Sequence, residues 1–235
     1  MAGNTRIEAT NSVLLALLPV QRRRLLAHSE QVNLAIGDIL CEPGKPTRHV
    51  YFPNNGIISL LNPVDGHTSV EVGLVGREGM AGMGLFLGVS VSSLRMLVQS
   101  SGTAARMKAT SFRSELRRNP LLREVLNKYL YVFLAQVAQT AACNRHHKLG
   151  PRLARRLLMT LDRLQSNELE LTQEMLANML GVRRVGVTKA AALLQKRNLI
   201  RYSRGHITIL DRKGLACASC WCYGAVNDIR DSVFV

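Results

Sequence analysis

The chain has 235 residues, which suits one large domain or two modest ones, each long enough to bury a core. Apolar residues make up 47% and charged residues 20%, a balance that excludes a disordered chain and a collagen-like fibre. Lys and Arg number 31 against 16 Asp and Glu, a formal net charge of +15, which points to a polyanionic partner: DNA, RNA or an anionic membrane surface.

The charge is uneven. Residues 145–213 hold 15 Lys or Arg and 5 Asp or Glu, a net of +10, whereas residues 1–144 hold 15 and 9, a net of +6, and the remaining tail is −1. Less than a third of the chain therefore carries two thirds of the charge, as expected of a nucleic-acid-binding domain joined to a less basic one. The longest apolar run, residues 129–135, ends at Gln136 and falls far short of the ~20 residues a membrane span needs. The apolar stretch 13–18 is followed rather than preceded by Arg22, Arg23 and Arg24, the reverse of a secretory signal, so a cytoplasmic protein is expected. Five cysteines, with Cys41 and Cys143 standing alone, speak against a disulfide framework.

In chain order, residues 11–30 read as one or two helices: Asn11 or Ser12 can cap, and Leu14, Leu15, Leu17 and Leu18 supply an apolar side. From about residue 32, short β-rich pieces alternate with turns. The pieces are 39–40, 50–52, 57–61, 69–75, 94–99 and 103–107, and the turn signals include Gly37-Asp38, Pro43-Gly44, Pro53-Asn54-Asn55-Gly56 and Asp65-Gly66. Such spacing predicts a small barrel or roll over residues 1–119.

After Asn119-Pro120 the period becomes helical. Leu122, Leu126, Tyr129, Phe133 and Val137 repeat every 3.6 residues, with Val125, Leu130, Val132 and Ala138 beside them, so one helix is expected over 120–147. Its apolar arc is too wide for a helix resting on one surface. We expect it to be buried on two sides, against its own roll and against a symmetry mate with Phe133 in the seam; a helix central to a monomeric core is the alternative. Gly150-Pro151 breaks it, another helix starts at about Arg152, and residues 148–235 form a separate domain.

Within that domain Thr172 is a good N-cap and Glu174 places negative charge in the first helical turn. Met175, Leu176, Met179 and Leu180 form a buried stripe, Ala177 leaves room for a crossing helix, and Gly181 permits a sharp turn. A second helix follows over 183–197, with Val187, Ala190, Ala191 and Leu194 inward. Two short helices joined by a tight turn make a helix-turn-helix. Residues 199–202 and 206–210, separated by Ser203-Arg204-Gly205, then read as a β-hairpin wing. The N-terminal turn of the second helix is the part that enters a major groove. Arg183 and Arg184 are the candidate base readers, because a guanidinium bonds bidentately to guanine; Thr188 and Lys189 suit phosphate contact, and Arg201 and Arg204 in the wing add phosphate or minor-groove contacts. With Thr172 and Gly186 these make up the candidate DNA-binding set.

The run LTQEMLANMLGVRRVGVTK over residues 171–189, continued by LLQKRNLI over 193–200, resembles the winged helix of Crp/Fnr-type transcriptional regulators. The likeness extends to IGDIL over 36–40, EPG over 42–44, VYF over 50–52 and Asn119-Pro120, which sit where that family's β-roll and dimer helix have similar residues. It implies an α+β chain: an N-terminal β-roll sensor domain over 1–119, a dimerisation helix over 120–147, and a C-terminal winged helix-turn-helix over 148–235. It also implies a homodimer on a two-fold-symmetric promoter site in double-stranded DNA, with RNA polymerase as a further partner of such a regulator. Relatives that bind cyclic nucleotides are similar in carrying a Gly-Glu pair for the ribose and an Arg-Ser or Arg-Thr pair for the phosphate. Here Ala81-Gly82 stands where Gly-Glu would fall, and Arg95 is followed by Met96. The effector domain therefore reads as degenerate for cyclic nucleotide, with Gly79, Gly82, Gly84 and Arg95 as the residual candidates for an effector of unknown identity. Gly82, Gly84 and Gly88 miss the dinucleotide spacing by one residue.

Cys217, Cys220 and Cys222 are close in sequence, and three thiolates can hold a metal if Cys143, His146 or His147 supplies a fourth ligand. A single CxxC is a weak signal, and the tail is read as free thiols, with no metal and no cofactor expected. His146 and His147 are adjacent and lie on different helix faces. No nucleophile elbow, phosphate loop or HExxH is present, so no enzyme is expected. Aromatic residues, at 5%, are too few for RNA stacking platforms. The alternative to a DNA-binding regulator is a sensor or scaffold of the same architecture whose wing does not read DNA; Arg183-Arg184 argue against it.

Overall fold

Turn chemistry organises the first half of the chain in the computed structural model, which describes residues 10–65, 68–164 and 166–234. Two compact units are present: Met1–Leu60 with Leu74–Leu130, and Leu61–Gly73 with Tyr131–Val235. The division falls inside one β-hairpin and inside one long helix.

In chain order the elements up to that helix are α1 (Ser12–Leu15), α2 (Pro19–Ala27), β1 (Ser29–Leu34), β2 (Ile39–Cys41), β3 (His49–Pro53), β4 (Ile57–Asp65), β5 (Thr68–Val75), α3 (Met83–Phe86), β6 (Arg95–Ser100), β7 (Gly102–Lys108), α4 (Ala109–Arg118) and α5 (Pro120–His146). The strands form two sheets, ordered β1-β7-β3 and β2-β6-β4-β5, which is the expected roll. Asn11 anchors the start: its side-chain oxygen accepts from the Val13 and Leu14 amides, and its Nδ2 donates to the Pro53 and Gly79 carbonyls at 2.9 and 2.8 Å. A wholly buried amide is thereby satisfied by groups from three segments. Phe52 and Phe112 pack edge to face at 6.4 Å in the core of this unit. At Gly102 an added Cβ would lie 2.3 Å from the Asn55 carbonyl, so the turn over 53–56 and the start of β7 approach as closely as only glycine permits.

Strands β2 to β7 lie where the alternating pattern predicts them. Three elements differ. Residues 29–34 form β1 rather than the end of a helix, because the six-residue antiparallel ladder from Ser29↔Met107 to Leu34↔Gly102 outweighs a local sequence with few apolar positions. The short α3 and the ten-residue α4 also escape the sequence reading; α4 turns only Phe112 and Glu115 fully inward, and the Glu115 carboxylate meets Arg24 at 3.0 Å.

The second unit holds the C-terminal part of α5, then α6 (Leu149–Leu164), β8 (Glu168–Glu170), α7 (Gln173–Leu180), α8 (Arg184–Lys196), β9 (Ile200–Ser203), β10 (His206–Ile209), α9 (Arg212–Ala218) and α10 (Cys222–Val233). Pro151 does not break the helix: it sits in the first turn of α6, where its missing N–H costs nothing, and the interruption is two residues long, at His147-Lys148. On α5, the residue expected in the seam packs partly within its own chain. Phe133 is half-buried and faces inward, with its ring 2.7 Å from where a Cβ on Gly73 would stand, whereas Tyr131 and Leu134 are 60% and 57% exposed. The tail beyond Asp211 is helical, and Cys220 and Cys222 are buried in it while Cys217 is exposed.

Helix α6 buries three arginines, Arg152, Arg155 and Arg156. Arg156 donates to Glu71 Oε2 at 2.8 Å, and both side chains are less than a tenth exposed. Desolvation by burial pushes the Arg156 guanidinium down from its ordinary value, opposed by the Glu71 charge. Removing one partner of a buried pair leaves the other charge uncompensated. Glu71→Gln should therefore lower the unfolding free energy by about 3 to 5 kcal/mol in a denaturant titration, and pairing it with Arg156→Met should restore most of the loss. An unaltered midpoint for the single variant would show that the pair does not hold the unit together.

Candidate nucleic-acid interface

The helix-turn-helix is built by local rules. Thr172 Oγ1 accepts from the Met175 amide at 3.1 Å and starts α7; Gly181, at φ 62°, ends it, with its amide donating to the Ala177 and Asn178 carbonyls. Three residues later α8 begins, burying Val187, Ala190, Ala191 and Leu194 against Leu153, Leu157, Leu176 and Leu180 in one apolar core. The opposite face is outward by helical spacing: Arg184, Val185, Thr188, Lys189 and Leu193 are all exposed, as is the N-cap residue Arg183. No acidic residue lies in the first turn of α8, so the positive end of the helix dipole is not neutralised there.

The wing completes a three-stranded sheet, ordered β8-β10-β9. Ser203 pairs with His206, and the two residues between them, Arg204 and Gly205, have φ of 50° and 86°. Positive φ at both central positions is the hairpin turn whose twist suits the strands. The Leu171 amide donates to the Gly205 carbonyl at 2.8 Å, and Thr172 Cγ2 lies 3.4 Å from where a Cβ on Gly205 would stand. The wing turn and the N-terminus of α7 are thus neighbours. Tyr202 links the wing to α8 and to the residue before the α7 cap: its hydroxyl donates to the Leu171 carbonyl at 2.9 Å and its amide to Gln195 Oε1 at 2.8 Å. Burial pushes the Tyr202 hydroxyl up, and the Arg184 charge acts in the opposite direction, so the start of α8 and the wing share one electrostatic neighbourhood.

Among the sequence-derived candidates, Thr172, Arg183, Arg184, Thr188, Lys189, Arg201 and Arg204 are exposed. Gly186 is different: a Cβ there would come 3.0 Å from Leu149 Cδ2, so its α-carbon faces the start of α6 and allows close helix packing. Thr188 is not idle; its hydroxyl donates to Gln173 Oε1 at 2.7 Å, with the Arg184 carbonyl at 3.1 Å as a second acceptor. Gln173, in the first turn of α7, is a member of this surface that the sequence reading missed. Its one sequence signal was its place after the cap.

The effector candidates are distributed otherwise. An added Cβ on Gly79 would fall 2.2 Å from the Tyr129 ring, and one on Gly84 would fall 3.2 Å from the Val89 carbonyl. Gly82 has φ of 97° and stands at the N-cap of α3. These glycines serve turns and close packing. Arg95 Nε donates to Glu42 Oε2 at 2.8 Å, so its charge is already matched. A further group of titratable side chains lies in the second unit, where Cys143 Sγ and Cys220 Sγ are 3.5 Å apart. A hydrogen bond from Cys220 brings the Cys143 thiol down to about 5, while the same bond and burial push Cys220 up.

Residues 151–218 match the Crp-like helix-turn-helix domain. Comparison with curated proteins finds no match. Among solved structures, FixK2 from Bradyrhizobium japonicum superposes with a TM-score of 0.70 at 13% identity, covering 82% of this chain and 98% of that one. A putative transcriptional regulator of the Crp/Fnr family from Eubacterium rectale gives 0.69 at 18% identity over 90% and 99% of the two chains. A Crp/Fnr-family transcriptional regulator from Thermus thermophilus gives 0.66 at 23% over 81% and 98%. No helix among the described residues is long and apolar enough to cross a membrane. The chain therefore has the Crp/Fnr fold, with a Crp-like helix-turn-helix domain at residues 151–218.

Proposed function

We propose that the protein is a homodimeric, sequence-specific transcriptional regulator that reads duplex DNA with α8, and that its N-terminal unit no longer depends on a cyclic nucleotide. The observation that carries the DNA reading is the exposed, acid-free N-terminal face of α8, with Arg183, Arg184, Thr188 and Lys189, next to a wing that presents Arg201 and Arg204. A major groove admits that helix end, and a bidentate guanidinium on a guanine edge discriminates bases where a lysine on phosphate does not. Arg184→Ala should weaken cognate binding by about 1 to 3 kcal/mol and relax sequence preference. Lys189→Ala should weaken cognate and random duplex alike and reduce the salt slope by about one. The ratio of cognate to random affinity, titrated at several salt concentrations, separates the two; an unchanged ratio for the Arg184 variant removes it from base readout.

Helix α5 supports the dimer reading. Tyr131, Leu134, Ala138 and Ala141 are exposed and recur at helical spacing, an apolar stripe that a symmetry-related helix would cover. Leu134→Glu should sediment as a monomer and lose operator binding. Phe133→Glu should instead lower thermal stability, because Phe133 packs on Gly73 of its own chain. A dimeric Leu134→Glu protein would move the interface elsewhere.

A ligand biases the DNA-competent state only through its differential affinity for that state. Gly82 has no carboxylate for a ribose, and Arg95 is paired with Glu42. Protein free of nucleotide should therefore shift a promoter fragment equally with and without cyclic AMP. Micromolar cyclic AMP binding by calorimetry, accompanied by a tenfold gain in operator affinity, would refute this.

A further inference from the structure

DNA reading leaves the cysteines unused, and four side chains of the second unit converge around them. Cys143 lies on α5 and His147 follows one turn later, with its amide on the Cys143 carbonyl at 3.0 Å, so the two share a helix face. Cys220 and Cys222 come from the turn into α10, on either side of Trp221, which is 69% exposed. The ligating atoms of the four residues all lie within 4.8 Å of one another. Cys143 Sγ is 3.5 Å from Cys220 Sγ, and Cys222 Sγ is 3.4 Å from His147 Nδ1. All three thiols are buried.

Those separations distinguish the chemistries available. With zinc–sulfur bonds of ~2.3 Å and zinc–nitrogen bonds of ~2.0 Å, a tetrahedral ion holds its ligand atoms roughly 3.5 to 3.8 Å apart. An iron–sulfur cluster distributes its four ligands over two or more irons, so the whole set spreads further than the 4.8 Å within which these four atoms lie. A disulfide needs its sulfurs at ~2.05 Å, and all five cysteines are free. Polar and charged groups surround the cluster. Gln139 Nε2, one turn before Cys143, donates to Cys222 Sγ at 3.0 Å. Arg152 and Arg155 are buried, lie close enough for their charges to act on these thiols, and form no salt bridge with a carboxylate among the described residues.

We propose that Cys143, His147, Cys220 and Cys222 bind one tetrahedral divalent metal ion, zinc by its donor set. Three thiols release their protons to solvent and His147 coordinates as neutral imidazole, giving a complex of net charge −1 that Arg152 and Arg155 offset. Four protein ligands leave no open position, so the site is structural rather than catalytic. The ion joins the start of α10 to the end of α5, at the two-residue junction that leads into α6. All four ligands fall outside residues 151–218, so the site is an addition around the helix-turn-helix domain. This replaces the reading of the tail as loose thiols, and it brings in His147 and not His146.

The test is metal content of the untagged, full-length chain purified under reductant. We expect about one zinc per chain by mass spectrometry of the metal. After chelation and reloading with Co2+, intense visible absorption of a tetrahedral centre and thiolate-to-cobalt charge transfer in the near ultraviolet should appear. Cys217→Ser should leave both unchanged; His147→Ala combined with Cys222→Ser should abolish them. Gln139→Ala, which leaves every ligand in place, should weaken the metal about 10- to 100-fold. The proposal is overturned if the folded, reduced wild-type chain binds neither Zn2+ nor Co2+. It is equally overturned if the double ligand variant retains the metal, or if iron with acid-labile sulfide is found instead.

Discussion

A guanidinium removed from water must find its hydrogen bonds and its counter-charge inside the protein, and α6 makes this demand three times within five residues. The second unit is arranged around the answers. Arg156 reaches Glu71 on the β-hairpin segment of the unit, and also Thr160 on its own helix. Arg155 donates to Thr140 on α5 at 3.1 Å, and Arg163 donates to Gln136, one turn earlier on that helix, at 2.8 Å. Arg152 donates to the Leu180 carbonyl, one of the carbonyls that the end of α7 leaves without a helical partner. One face of α6 therefore fixes α5, the hairpin and the end of α7 together. Since α7 packs on α8 through Leu176, Ala177, Val187 and Ala190, the presentation of the α8 surface depends on where those guanidinium groups find partners.

The helix-turn-helix and wing were legible because their determinants are local. A Thr cap, a Gly with positive φ, a small Ala at the crossing and an Arg-Gly turn each act within a few residues, and the observed elements agree with the expected ones to within about two residues, the usual uncertainty of helix ends. Elements that depend on distant partners were not legible. β8 is three residues long and exists because Leu169 pairs with Ile207; α9 and α10 occupy a stretch to which the sequence reading assigned no element. Phe133 illustrates the limit of periodicity. A helical repeat identifies apolar stripes but cannot say which stripe its own chain covers, and here the answer is set by Gly73, sixty residues earlier. The cysteines follow the same logic: spacing draws attention to Cys217 and Cys220, yet the pair that comes together with Cys143 is Cys220 and Cys222, across 77 residues of chain.

Glycine in the first unit carries a related lesson. A glycine-rich run such as 79–88 has the texture of a ligand loop, but texture does not distinguish a backbone that approaches a ligand from one that approaches an aromatic ring. Gly79 leaves room for Tyr129, and Gly82 adopts a left-handed conformation before α3. The isolated bridge between Tyr51 and Ala81, with bonds of 3.0 and 2.9 Å, holds that run against β3. Packing accounts for these glycines without any ligand.

The surface and interior of the second unit are linked by sign. Its outer face carries an excess of Lys and Arg suited to a polyanion, and such an excess destabilises a compact state through self-repulsion. Placing three more arginines inside the unit adds to that cost unless negative charge is placed beside them. Glu71 supplies it for Arg156. Arg152 and Arg155 form no salt bridge with a carboxylate among the described residues but act on the buried cysteines, and thiolates in a buried site persist when a cation fixes them. A thiolate-bound metal ion would then serve two needs at once, tethering the C-terminal helix and placing an anionic complex beside Arg152 and Arg155.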